Sequence, residues 1–86
     1  MYTPTIPLKD LVHVEFSDAL SITEQLKKAL TLACSDGNMN KNKYKITFQS
    51  TNGILGVDAT IWMVGKNYIL LKGNVFIPIK SIISIR

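Results

Sequence analysis

One cysteine, one histidine and six acidic residues leave this chain short of the groups from which most active sites are assembled. A lone cysteine excludes an internal disulfide and makes a reducing, cytoplasmic compartment the expectation. Metal centres need several imidazole, thiolate or carboxylate ligands to converge. With His13, Cys34 and acids as scattered as Glu24 and Asp58, no metal and no cofactor are expected. Nucleophilic catalysis needs a nucleophile within reach of a base, and here only Cys34 and His13 could supply them. Cys34 reads more simply as a small buried hydrophobe, and His13 as a solvated or interface side chain. Gly53-Ile54-Leu55-Gly56 has neither the spacing nor the lysine of a phosphate-binding loop. The chain is therefore expected not to be an enzyme. No apolar run approaches the ~20 residues of a membrane span. The segment from Met1 to Pro7 lacks the basic start and apolar core of a signal peptide. No membrane partner is expected.

What is present is a folding chain of modest size. Its 86 residues suit a single domain, and 47% of them are apolar. A domain this short buries only about 60–65% of the surface exposed by its unfolded chain. Its core is small, and pairing with copies of itself would add to it. The net charge of +4 is a mild basic bias.

Pro4 and Pro7 hold the first residues extended, and Val12, Val14 and Phe16 alternate with His13 and Glu15. Residues 1–20 thus read as an extended arm or short strand. Ser21 and Glu24 have the spacing of a capping box. Ile22, Leu26, Ala29, Leu30 and Ala33 then form one helical stripe, and Asp36-Gly37 is the stop, predicting a helix over 21–36.

Residues 44–86 read as β-structure. Tyr44, Ile46 and Phe48 alternate, and Asn52-Gly53 predicts a type I′ hairpin turn. Leu55, Val57, Ala59, Ile61 and Met63 would line one face of a long second strand with Gly56 and Gly65 as bending points. Tyr68 to Lys72, Val75 to Ile79 and Ile82 to Ile85 follow, the last two joined by a 3-10-type turn at Ile79-Lys80-Ser81-Ile82. The expected fold is α+β, mainly β: an N-terminal helix and a five-stranded antiparallel small barrel.

Two stretches carry a resemblance. Lys45-Ile46-Thr47-Phe48 with a Gly-led second strand, then Tyr68-Ile69-Leu70-Leu71 and Ile77-Pro78-Ile79-Lys80-Ser81-Ile82-Ile83-Ser84-Ile85, resemble the Sm-like (SH3-like) barrels, Hfq-like proteins among them, and the WYL-like modules of bacterial regulators. The resemblance spans about residues 21–86 and rests on hydrophobic spacing and turn placement. It implies that the fourth strand of one subunit can pair with the fifth of a neighbour. Of the Tyr-Lys-His signature of the Hfq type, only Lys80 has a counterpart, and Asn67-Tyr68-Ile69 is a partial echo of Trp-Tyr-Leu.

Three functions follow as expectations. The first is a non-catalytic binding module that self-associates through Val75, Ile77, Pro78, Ile79, Ile82, Ile83 and Ile85, a surplus of branched apolar surface. The second is a single-stranded RNA binder using Lys41, Lys43, Lys45, Tyr68 and Lys80. Three phosphate contacts would give a salt slope of about −2, a weak site unless multiplied in a ring. The third is a sensor of a small molecule or peptide with a pocket lined by Trp62 and Tyr68. By strand parity Trp62 lies opposite the apolar face, where it could anchor a protein partner or stack on a base. A bend in the strand would instead pack it under the helix or the arm.

Overall fold

Six short antiparallel strands follow one main helix in the computed structural model, which describes residues 3–19, 24–40 and 42–86. The helix α1 spans Glu24–Asn40. The strands are β1 (Tyr44–Ser50), β2 (Gly53–Ala59), β3 (Ile61–Val64), β4 (Tyr68–Leu71), β5 (Val75–Pro78) and β6 (Ile82–Ile85). They form two open three-stranded sheets, ordered β2-β1-β6 and β3-β4-β5. The expected five strands are thus six, and they stand as two open sheets instead of one closed barrel. Among the described residues no ladder joins the two sheets. The chain itself crosses between them, once at Thr60 and once through a 3-10 turn at Ile79–Ser81.

Thr60 explains the sixth strand. It is buried, and its carbonyl accepts from the Lys72 backbone N–H at 2.9 Å. The chain there stops pairing with β1 and starts pairing with β4, so the expected long second strand becomes β2 and β3. Val57, Ala59 and Ile61 keep the predicted inward parity. Met63 does not, because the β3–β4 register slips between Ile61 and Met63 and turns its side chain outward.

The first hairpin forms where expected but with different geometry. Thr51 and Asn52 are the loop between paired Ser50 and Gly53, and Asn52 does not take positive φ, so the turn is not type I′. Ser50 holds it instead: its Oγ donates to the Gly53 carbonyl at 2.7 Å and accepts from the Asn52 N–H at 3.3 Å. At the β4–β5 turn both Gly73 (φ +103) and Asn74 (φ +62) are left-handed, the conformation these residue types tolerate best.

The N-terminal arm is not a strand through Val12. Residues Leu8–His13 form a 3-10 helix that buries Leu11 (1% exposed) and leaves Val12 in solvent (64%). The alternation of Val12 and Val14 was outweighed by burial of Leu11 against the core cluster. On either side of this helix the arm runs along β-structure. Ile6 N–H donates to Gly56 O and Gly56 N–H to Pro4 O, both at 2.8 Å, along the outer edge of β2. Side-chain space is tight there: a Cβ on Gly56 would lie 3.3 Å from Lys45 Cε. Further on, Phe16 bridges to Ser50 and its ring meets Phe48 at 5.4 Å.

The helix packs on β3 and touches β6 through Leu26, Leu30 and Ala33, as the stripe predicts. The expected helix start at Ser21 and Ile22 lies outside the described residues. The predicted stop at Asp36-Gly37 is overrun: α1 continues to Asn40. Glycine costs only about 1 kcal/mol inside a helix, and the last turns are tied to the sheet. The Asp36 carboxylate accepts from the Tyr44 hydroxyl and, at 2.8 Å, from the Asn42 amide. Among the described residues no helix is long and apolar enough to cross a membrane.

Two predictions follow from this packing. Leu11→Ala should cost about 2–5 kcal/mol in urea unfolding, and Val12→Ala under about 0.5 kcal/mol; a strand through Val12 would make the two costs similar. Tyr44 is raised above its ordinary pKa of 10.0, first by its hydrogen bond to Asp36, then by burial and by the Asp36 charge. The fold thus favours the neutral phenol. That contribution is complete below the unfolded pKa and is lost as pH rises through the higher folded one. In Asp36→Ala, the phenolate absorbance titration of Tyr44 should move down toward 10.0.

Candidate functional site

The corner between β5 and β6 shapes the most chemically distinctive concavity. Pro78, at φ −63°, ends β5 and leads into the 3-10 turn Ile79–Ser81. The Ile79 N–H then donates to the Asn67 carbonyl at 2.9 Å, and the Gly65 N–H to the Tyr68 carbonyl at 2.7 Å. These bonds hold the β3–β4 turn beside the β5–β6 corner. Between them lies a groove of about 470 Å³, with Lys66, Asn67 and Tyr68 on one side and Pro78, Ile79 and Lys80 on the other. Lys27 of α1 completes it.

Three ammonium groups therefore share one groove, and among the described residues none that lines it is acidic. Among the described residues a counter-charge meets the groove at Asp18, whose Oδ1 lies 3.5 Å from Lys80 Nζ. Both side chains are about three-fifths exposed (63% and 62%), so the pair is worth at most about 1 kcal/mol. The Lys80 backbone is held more firmly, its carbonyl accepting from the Ala19 N–H at 2.8 Å.

The other sequence candidates fall elsewhere. Lys45 stands on the outer face of the β2-β1-β6 sheet, opposite Asp58 and exchanging backbone bonds with Arg86. Lys43 is exposed ahead of β1, and Lys41 lies outside the described residues. Lys45 and Tyr68 thus stand on different sheets, with Lys80 in the turn between them. Trp62, 42% exposed, lines a separate cavity of about 460 Å³ with Cys34 and Met63, so it does not share a pocket with Tyr68. His13 lines a third cavity with Asp10 and Glu15. Cys34 and His13 are therefore not brought into one site. Among the described residues no three His, Cys, Asp or Glu side chains cluster to hold a metal.

The isoleucine-rich tail is divided. Ile77, Ile79 and Ile82 are buried in the core of the subunit itself, while Val75, Pro78, Ile83 and Ile85 are half-buried. Across the outer face of β3-β4-β5, the register sets Met63, Leu70 and Phe76 in one row and Tyr68 beside Pro78 in the next. Lys27, Lys66 and Phe76 were not legible as site residues. Lys27 reads as the polar face of a helix, and nothing local says which turn that face approaches. Phe76 reads as one more apolar strand residue.

Compared with protein-family models, with curated proteins and with solved structures, the chain matches none.

Proposed function

We propose that this protein is a non-catalytic binding module whose ligand is a phosphate-bearing polyanion held in the Lys27–Lys66–Lys80 groove. The observation that carries this reading is the convergence of three lysines from three separate elements on one concavity with no acidic side chain among its described lining residues. Like charges repel, the weak and exposed contact of Lys80 with Asp18 offsets little of that, and a fold that gathers such charges gains when an anion arrives. The lysines are point charges on flexible stems, suited to phosphate without fixed geometry. The separation of Cys34 from His13 supports a binding role and not a catalytic one.

The small-barrel reading, Sm-like or SH3-like, draws support from the strand order. Two three-stranded sheets share a chain that bends at Thr60 and turns by a 3-10 step before the last strand. A self-association reading has its own observation. β5 pairs only with β4, and β6 only with β1, so each presents an outer edge without a strand among the described residues. Such edges are templates for pairing with another chain. Because Ile77, Ile79 and Ile82 are spent on the core, association through this region would use backbone edges with Val75, Ile83 and Ile85.

Two measurements test these readings. Binding of inorganic polyphosphate should weaken steeply with added salt. It should be lost in the triple variant Lys27→Ser, Lys66→Ser, Lys80→Ser and kept in Lys43→Ser, Lys45→Ser; equal loss in both would remove the groove as the site. Sedimentation at tens of micromolar should show an assembly larger than one subunit, and a clean monomer disposes of edge pairing.

A further inference from the structure

The lysine groove accounts for charge and leaves the surface beside it unexplained. Tyr68 lines the groove, and its ring meets that of Phe76 edge-on, with centroids 6.3 Å apart and planes at 83°. Both rings are 52% exposed, although they sit on a small domain with few aromatic residues to spare. The row continues outward through Leu70 and the exposed Met63, which lie across the ladder from Phe76. A purely inorganic polyanion would use the lysines and gain nothing from this strip. A purely apolar partner would use the strip and leave the groove lysines to desolvate with little beyond the weak Asp18 contact to offset it, which is costly.

A ligand that is anionic along a backbone and flat and apolar beside it uses both. We propose that the outer face of β3-β4-β5 binds single-stranded nucleic acid, with phosphates in the lysine groove and an unpaired base lodged in the corner between Tyr68 and Phe76. This rests on the polyanion reading of the groove and narrows it to one ligand class. The geometry of the corner sets the mode. Two perpendicular rings cannot both stack on one base, so the base lies flat on one ring and meets the other with its edge. Every base has such a face, so the contact is tolerant of sequence. A duplex keeps its bases in its own stack and offers the corner nothing. The surface should therefore separate single strands from duplexes even though both carry phosphate.

The test is fluorescence anisotropy with a labelled oligouridylate, an oligothymidylate, an RNA duplex of the same length, and inorganic polyphosphate as an unlabelled competitor. Both single strands should bind at least about tenfold more tightly than the duplex. Phe76→Ala and Tyr68→Ala should each weaken single-strand binding about five- to hundredfold, the range of one lost stacking contact, and Phe76→Ala, at a ring outside the groove lining, should leave the competition constant of polyphosphate unchanged. Phe76→Leu keeps apolar volume at an exposed position and should still lose most of the aromatic contribution; circular dichroism identical to the parent confirms the fold. If single strand, duplex and polyphosphate bind alike and the ring substitutions change nothing, the groove stands and the base corner falls. If no polyanion binds, both fall. If Phe76→Ala instead dissolves a dimer and no oligonucleotide binds, the face belongs to a second copy of this chain and the proposal is overturned.

Discussion

The corner between β5 and β6 is the constraint on which the functional half of this molecule depends. Pro78 cannot donate to a ladder and has its φ preset near −63°, so β5 ends there and a single 3-10 turn carries the chain from one sheet to the other. That turn buries Ile79 and Ser81 and leaves Lys80 outside. It also points the Ile79 N–H at Asn67, which fixes the neighbouring β3–β4 turn at hydrogen-bonding distance. Without that bond the two turns would have no reason to keep the spacing that makes a groove. The lysines are flexible, but the backbone positions from which they reach are not.

The rest of the fold is a solution to having little core. Two three-stranded sheets leave four edges, and an 86-residue chain has few elements with which to cover them. The arm meets part of this need. Pro4 and Ile6 bond to Gly56 along the edge of β2, and residues 15–17 continue the lane of β6 beside the end of β1. Leu11, on the 3-10 helix between these two contacts, joins the buried cluster. The helix α1 closes the opposite opening with Leu26, Leu30 and Ala33. β5 and β6 keep outer edges that no strand among the described residues covers, and they flank the corner just described.

Much of this was legible where the signal is local. The helix stripe at Leu26, Leu30 and Ala33, the inward parity of Ile46 and Phe48, and the 3-10 turn at Ile79–Ser81 all follow from spacing over a few residues. What failed to read was set by distant partners. Val12 and Val14 alternate like a strand, yet Leu11 has the deeper burial to gain, and the segment coils to reach it. The break at Thr60 depends on Lys72, twelve residues on, whose N–H takes the Thr60 carbonyl. The slip after Ile61 turns Met63 outward and makes it part of the apolar strip. Likewise Tyr68 and Lys80 could be singled out by residue type. Lys27 and Lys66 could not, because their meeting with Lys80 is a product of how the helix lies across the sheets.

Asp18 bears on whether such a groove is accessible to a ligand. Its carboxylate occupies one of the three cations in the unliganded protein. A buried, bidentate pair would compete seriously with an incoming phosphate. This one is a single contact at 3.5 Å between side chains that solvent reaches freely, so water and salt already weaken it. A phosphate that touches two or three lysines at once replaces one weak attraction with several. On the proposed reading, the ion pair would oppose an incoming phosphate only slightly. The same reasoning separates this groove from the face around Lys45. There the lysine stem packs over Gly56, so the side chain is partly committed to the fold.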